Sequence, residues 1–244
     1  MSRCLRCKLV IQSSLYRILA LTLLAAIRYE LGDHHTYDFV EGVVPWEIDP
    51  GKCRHGPSST ERFRAKFLTE IKHLLPSGYE TYTYFDYTSK KSIRKAVDDL
   101  ETFLQTDGPY DGVIAFSQAA SLVSTWMLRQ AKRARRSDPA FKCAIFLSAA
   151  LLPYDFEQLK EGRLQLVSTA EVGEAIGIPT AHVWGEEDRF FDTATDFSNL
   201  CKSDVKSVFI HKGGHEVPGA SSKEAVSRAV NIIRRAIQLS EAAS

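Results

Sequence analysis

The chain has 244 residues, of which 44% are hydrophobic and 25% charged, the balance of an ordinary globular protein. A chain of this length can bury a substantial core, so we expect residues 1–244 to form one domain. The 31 basic and 30 acidic residues give a net charge of +1, which supplies no extended positive field for nucleic acid. The five cysteines are too scattered for a disulfide framework, and Cys4 and Cys7 lack a second pair to complete a zinc site.

The first 31 residues allow two interpretations. Arg3, Arg6 and Lys8 precede an apolar run at 18–27, which is the layout of a secretory signal peptide. The run is too short for a membrane-spanning helix, which needs about 20 residues, and no small-x-small cleavage site follows it. These features favour a buried amphipathic helix and a cytoplasmic protein, while the signal-like layout leaves secretion open. We treat residues 1–23 as an atypical N-terminal segment.

The rest of the chain alternates strand-like and helix-like segments. The patterns predict, in chain order, a strand at 37–41, a helix at 60–75, a strand at 79–85, a helix at 92–104, a strand at 112–116 leading directly into a helix, strands at 141–147, 179–184 and 205–211, and a helix at 222–239. This alternation predicts an α/β fold with a doubly wound, mostly parallel sheet that has helices on both faces. Residues 151–177 lack the pattern and are a candidate lid.

Polar residues follow three of the predicted strands. Ser117 comes after 112–116, Asp188 after 179–184 and His215 after 205–211. In open α/β sheets the chemistry lies beyond the carboxyl ends of the strands, and the order Ser, Asp, His is that of α/β-hydrolases. A histidine activates a serine by taking its proton, and a carboxylate orients the histidine. We therefore predict a serine nucleophile, an acid and a base, with Glu186 and Asp192 as rival acids to Asp188.

The turn at the serine departs from the G-x-S-x-G pattern of such enzymes. It runs from Ala115 to Ala119, and each alanine adds one methyl group where the strained turn crowds its flanks. A serine after a strand is by itself most often a helix N-cap, so the prediction depends on Asp188 and on the Gly-Gly-His that ends at His215. Ser148 follows another predicted strand without such partners and is interpreted as structural.

Three segments resemble the fungal serine hydrolase family. They are DGPYDGVIAFSQAA at 107–120, IPTAHVWGEED at 178–188 and HKGGHEVP at 211–218, with weaker matches at 28–32 and 39–42. The resemblance covers about residues 24–239 and implies an α/β-hydrolase fold. By resemblance, Ser117 is the nucleophile, Asp188 the orienting acid and His215 the base.

The family also implies a substrate class. Its members include esterases and thioesterases of fungal secondary metabolism, among them a thioesterase of the lovastatin pathway that frees a polyketide chain from its synthase. The resemblance thus implies an acyl ester or thioester substrate, with the acyl-carrier domain of a polyketide synthase as a candidate partner. It implies no metal and no organic cofactor.

One feature of the family is absent from the sequence. Members open with a strand and a loop resembling LCLHGxGTN, whose backbone amide helps to form the oxyanion hole, whereas residues 1–15 contain no glycine. We therefore expect a first strand that is missing or altered, with the backbone N–H of Gln118 as the one oxyanion donor that can be named. Losing one donor costs on the order of 10²–10³ in rate. The alternative function is therefore a catalytically impaired, hydrolase-like protein that binds an acyl ligand or a partner.

Overall fold

A six-stranded parallel sheet forms the centre of the molecule. The computed structural model describes residues 8–12, 17–45, 82–133 and 140–242. The strands are β1 (Lys8–Gln12), β2 (Tyr37–Val40), β3 (Val44–Pro45), β4 (Tyr82–Thr83), β5 (Gly112–Phe116), β6 (Cys143–Leu147), β7 (Thr180–Gly185) and β8 (Lys206–His211). The sheet has the order β2-β1-β5-β6-β7-β8, and β3 pairs with β4 in a separate antiparallel ribbon.

Helices cover both faces of this sheet. They are α1 (Arg17–Leu31), α2 (Lys90–Asp107), α3 (Gln118–Arg133), α4 (Phe156–Lys160), α5 (Thr169–Val172), α6 (Phe191–Ser198) and α7 (Lys223–Ala242). On one face α1 packs against α7, and on the other α2 packs against α3. Along β5, Val113 and Ala115 join the core beneath α2 and α3, while Ile114 and Phe116 join the core beneath α1 and α7. The doubly wound α/β prediction is confirmed.

The first strand was expected to be missing or altered, and the structure shows that it is present. Strand β1 lies between β2 and β5 and pairs in parallel with both, with Gln12 in register with Phe116. The physical reason is that Val10 and Ile11 are β-branched residues, which suit a central strand. The sequence interpretation had treated this segment as atypical because of its basic residues and because it lacks the His-Gly of the family. Residues 13–16, which follow β1, lie outside the described residues.

The apolar run that follows forms a helix. Within α1 the side chains of Leu24, Ile27 and Leu31 are buried in the core shared with α7. Within the described part of the chain, no helix is long and apolar enough to cross a membrane.

The predicted strand at 79–85 is confirmed in part within the described residues, which begin at 82. Only Tyr82–Thr83 is a strand, and it pairs with β3 outside the main sheet. The reason lies in the next two residues, because the side chain of Gln118 takes up the backbone N–H of Tyr84 and the carbonyl of Phe85. The predicted helix at 60–75 and the Cys4/Cys7 pair lie outside the described residues.

The 151–177 segment contains short helices rather than a featureless loop. It includes α4 and α5. An isolated β-bridge between Tyr154 and Leu166 closes the loop that contains α4. Its N-terminal half is fastened to α3: the guanidinium of Arg129 stacks on the ring of Phe156, 4.1 Å from the ring centroid. The amide of Tyr154 donates to the Thr125 hydroxyl at 2.9 Å. The lid role of this segment stays a prediction.

Candidate active site

Ser117 lies in a sharp turn between β5 and α3. Its φ is +56°, in the left-handed region that side-chain-bearing residues rarely adopt. The turn is held by the Ser117 N–H, which donates to the carbonyl of Leu147 on β6 at 2.9 Å. Ala115 and Ala119, on either side, are fully buried. The alanines therefore supply the small flanking side chains that this strand-to-helix turn requires.

The histidine and the acid reach this serine from two neighbouring strand ends. His215 follows β8, and its Nε2 lies 2.9 Å from Ser117 Oγ. Its Nδ1 lies 2.9 Å and 3.1 Å from the two carboxylate oxygens of Asp188, which follows β7. The three residues predicted from the sequence thus form one hydrogen-bonded chain at the carboxyl edge of the sheet. The rival acids Glu186 and Asp192 are exposed, and Asp188 occupies the position beside the imidazole.

The surroundings of Asp188 favour its ionised form. Burial alone raises the pKa of this carboxyl, because a charge is poorly solvated inside the protein. The hydrogen bond and charge of His215, the Phe190 amide at 2.9 Å and the charge of Arg189 together outweigh burial, so the pKa lies below its ordinary value. A carboxylate in this state can hold the imidazole with its Nδ1 protonated and its Nε2 turned towards the serine.

Two phenyl rings flank the imidazole of His215. The ring centroid of Phe190 lies 5.0 Å away in an edge-to-face arrangement, and that of Phe116 lies 5.3 Å away. Only 5% of the His215 side chain is exposed. The rings limit the rotation of the imidazole and exclude water from its faces. Neither contact was predicted from the sequence, because a phenylalanine beside a motif residue has the same pattern as any core phenylalanine.

The side chain of Gln118 connects the turn at Ser117 to a segment distant in the sequence. Its Oε1 accepts from the hydroxyl of Thr83 at 2.5 Å and from the amide of Tyr84 at 3.0 Å, and its Nε2 donates to the carbonyl of Phe85 at 3.0 Å. The residue is 2% exposed, so these bonds form in a water-poor environment. The sequence interpretation assigned a role only to the backbone of this residue.

The backbone N–H of Gln118 is the predicted oxyanion donor. Gln118 is the first residue of α3, where backbone N–H groups have no acceptor within the helix and the helix dipole favours negative charge. The donor role stays a prediction. Gln12, the last residue of β1, is in register with Phe116, the residue directly before Ser117.

No metal centre is found in the described ranges, where no group of three or more histidine, cysteine and acidic side chains could hold an ion. The arrangement that the structure does form is a serine, a histidine and a carboxylate at the strand ends of a doubly wound sheet. This fold and this site define the chain as an α/β-hydrolase.

Comparison with known proteins identifies the family. Residues 24–226 match the model of the "Serine hydrolase (FSH1)" family. The chain therefore belongs to this family and is a serine hydrolase, as the sequence motifs indicated.

Related proteins include fungal hydrolases. Esterase FPY3 of Fusarium mangiferae is 32% identical over 198 residues, which cover 80% of this chain and 79% of the relative. Hydrolase phiM of a fungal species is 28% identical over 180 residues, covering 68% and 85%. Among solved structures, a fungal esterase of Rhizomucor miehei superposes with a TM-score of 0.53 at 10% identity, covering 98% of this chain and 76% of that one. SOBER1 of Arabidopsis thaliana gives 0.51 at 13% identity, covering 95% and 99%. These likenesses support the fold.

Proposed function

We propose that the protein hydrolyses an acyl ester or thioester through Ser117, His215 and Asp188. The observation that carries the proposal is the hydrogen-bonded chain in which His215 lies 2.9 Å from both the Ser117 hydroxyl and the Asp188 carboxylate. At this distance the imidazole can take the hydroxyl proton directly, as a general base requires.

The reaction follows from the geometry in two halves. His215 takes the proton of Ser117 as the hydroxyl oxygen attacks the acyl carbonyl, and the negative charge forms on the carbonyl oxygen beside the Gln118 N–H. The tetrahedral intermediate collapses, the bond to the alcohol or thiol breaks, and His215 gives that leaving group its proton. Water, deprotonated by the same imidazole, then attacks the acyl-serine; the bond from the acyl carbon to the Ser117 oxygen breaks, the imidazolium returns its proton to that oxygen, and the acid is released. Asp188 stabilises the imidazolium that forms in both halves.

We further propose a substrate in secondary metabolism, namely a polyketide acyl chain held as a thioester on an acyl-carrier domain. The support is the family resemblance of the motifs and the names of fungal relatives such as hydrolase phiM. No metal ion is needed for this chemistry, since the nucleophile, proton carrier and oxyanion donor are all protein groups.

A fluorophosphonate probe tests the proposal. The native protein should be labelled on Ser117, and Ser117→Ala should abolish both the labelling and the hydrolysis of acyl esters. The matched control is Ser203→Ala, an exposed serine in the turn before β8 at the opposite edge of the sheet, which should be labelled like the native protein. Unchanged labelling of Ser117→Ala would place the nucleophile elsewhere.

A panel of acyl-pantetheine thioesters and the matching p-nitrophenyl esters tests the finer proposal. Preference for long acyl thioesters would support chain release from a carrier domain. Hydrolysis of esters alone would contradict it and leave a plain esterase. Binding of the thioesters without turnover or labelling would instead establish the catalytically impaired alternative.

A further inference from the structure

Two neighbouring strands, β5 and β6, are each followed directly by a serine whose backbone is in the left-handed region. Among the residues that the structure describes, Ser117 at +56° and Ser148 at +43° are the non-glycine residues with positive φ. Phe116 and Leu147 are in register on β5 and β6, so the two serines lie side by side at the carboxyl edge. A non-glycine residue in this region is strained and persists only where its surroundings require it. The strain at Ser117 belongs to the nucleophile turn, whereas that at Ser148 has no role in the mechanism above.

Ser148 contacts both of the elements that carry the acid and the base. Its N–H donates to the carbonyl of Val183 on β7 at 2.8 Å. Its hydroxyl donates at 3.2 Å to the carbonyl of Glu216, the residue directly after His215. Ser148 itself is fully buried, so its hydroxyl lies among protein groups and uses the Glu216 carbonyl as its acceptor.

The loop on the other side of His215 is fastened by backbone groups. The amide of Glu186 donates to the backbone carbonyl of His211 at 2.7 Å, and the amide of Glu187 donates to the carbonyl of Gly213 at 3.0 Å. Gly185 lies so close that a Cβ there would overlap the carbonyl of Gly213. These contacts fix the chain before the imidazole, and the Ser148 hydroxyl holds the chain after it.

We propose that Ser148 is a positioning residue for the base. Its left-handed backbone directs the hydroxyl towards the Glu216 carbonyl. This hydrogen bond keeps the Nε2 of His215 within hydrogen-bonding distance of Ser117 Oγ. The inference deepens the proposed function and rests on the role given there to His215. It differs from the sequence interpretation, in which Ser148 was structural.

Two variants of Ser148 distinguish a role in positioning His215 from a role in stabilising the fold alone. Ser148→Ala and Ser148→Gly both remove the hydroxyl, but only glycine relieves the positive φ, so the glycine variant should be the more stable. If Ser148 positions the base, both variants lose kcat to a similar extent, roughly tenfold, with KM little changed, because a small displacement of a catalytic group costs rate rather than binding. If Ser148 serves only the fold, activity follows stability and Ser148→Gly has native kcat, which would overturn the inference.

A double-mutant cycle makes the outcome specific to His215. In a His215→Ala background, Ser148→Gly should produce no further loss of the residual rate, because the group that it positions is gone. An equal tenfold loss in both backgrounds would contradict the inference. Full activity of His215→Ala would instead refute the proposed function, and that result is distinguishable because it does not involve Ser148.

Discussion

Acidification should destabilise the protein through one buried histidine. His182 lies on β7, 1% exposed, with ring centroids of Phe146 and Phe197 at 5.4 Å and 6.2 Å, and its Nε2 lies 3.0 Å from the Thr180 hydroxyl. Burial, assisted by the positive charge of Lys206, lowers the pKa of this imidazole to about 3. The folded protein therefore keeps His182 neutral at pH values where the unfolded chain has protonated it.

The direction and size of the effect follow from linkage. The unfolded imidazole titrates near its ordinary pKa of 6.5, so His182 leaves stability unaffected above that pH and lowers it progressively as the pH falls towards 3. At about pH 4.5 the two pH units below 6.5 correspond to a loss of roughly 3 kcal/mol, at about 1.4 kcal/mol per unit. For a chain of this size that loss lowers Tm by roughly 6–12 °C.

Urea unfolding of the native protein and of His182→Phe, measured from about pH 7.5 to about pH 4.5, tests this reasoning. Phenylalanine keeps a ring in the cluster and removes the titration, so the variant should lose roughly 3 kcal/mol less over this range. Other groups titrate equally in both proteins and cancel in the difference. The control is Ser203→Ala, which changes an exposed side chain that does not titrate and should leave the pH dependence as in the native protein. Parallel pH dependences for the native protein and His182→Phe would refute the argument.

Two further substitutions test contacts around the site and beneath the 151–177 segment. Gln118→Leu keeps the backbone N–H but leaves the backbone groups of Tyr84 and Phe85 without their buried partner, and it should lower the free energy of unfolding in urea by roughly 2–4 kcal/mol; an unchanged value would contradict the importance of this tie. Arg129→Leu removes a buried guanidinium that pairs with acidic groups on α2, and it should lower the free energy of unfolding by about 1–3 kcal/mol. This is less than for a fully buried pair, because one partner carboxylate is half exposed and solvent screens it. Lys95→Ala, which breaks an exposed i,i+4 pair, should change stability by less than about 0.5 kcal/mol, and an equal effect of both changes would overturn the distinction.

The parts of the fold that the sequence predicted are those whose burial follows a simple pattern. The strand at 112–116 is buried along its whole length and reads as an unbroken apolar run, and the helix at 222–239 carries its apolar residues on one face. The order of Ser117, Asp188 and His215 was visible because each follows a strand, and parallel strands end at the same edge of the sheet.

The remaining features depend on contacts between distant residues. The hydrogen bond between Gln118 and the amide of Tyr84 joins positions 34 residues apart, and that between Ser148 and Glu216 joins positions 68 apart. No local period encodes such pairs, and the left-handed backbone of Ser148 has no glycine or asparagine to signal it. The strand at 8–12 was missed for a different reason, since its apolar residues lie beside a basic segment that has the layout of a signal peptide.

Phe116 has a consequence for how the enzyme can change by mutation. Its ring belongs to the core beneath α1 and α7 and also touches the imidazole of His215. Substitutions far from the site, such as at Ile233 in α7, can therefore affect the position of the His215 imidazole through one continuous block of packed side chains. Ala115 and Ala119, on either side of Ser117, belong to the core beneath α2 and α3, and their methyl groups have no rotamers to shift. In directed evolution, the α1/α7 side is therefore a route by which remote repacking can tune the reaction rate.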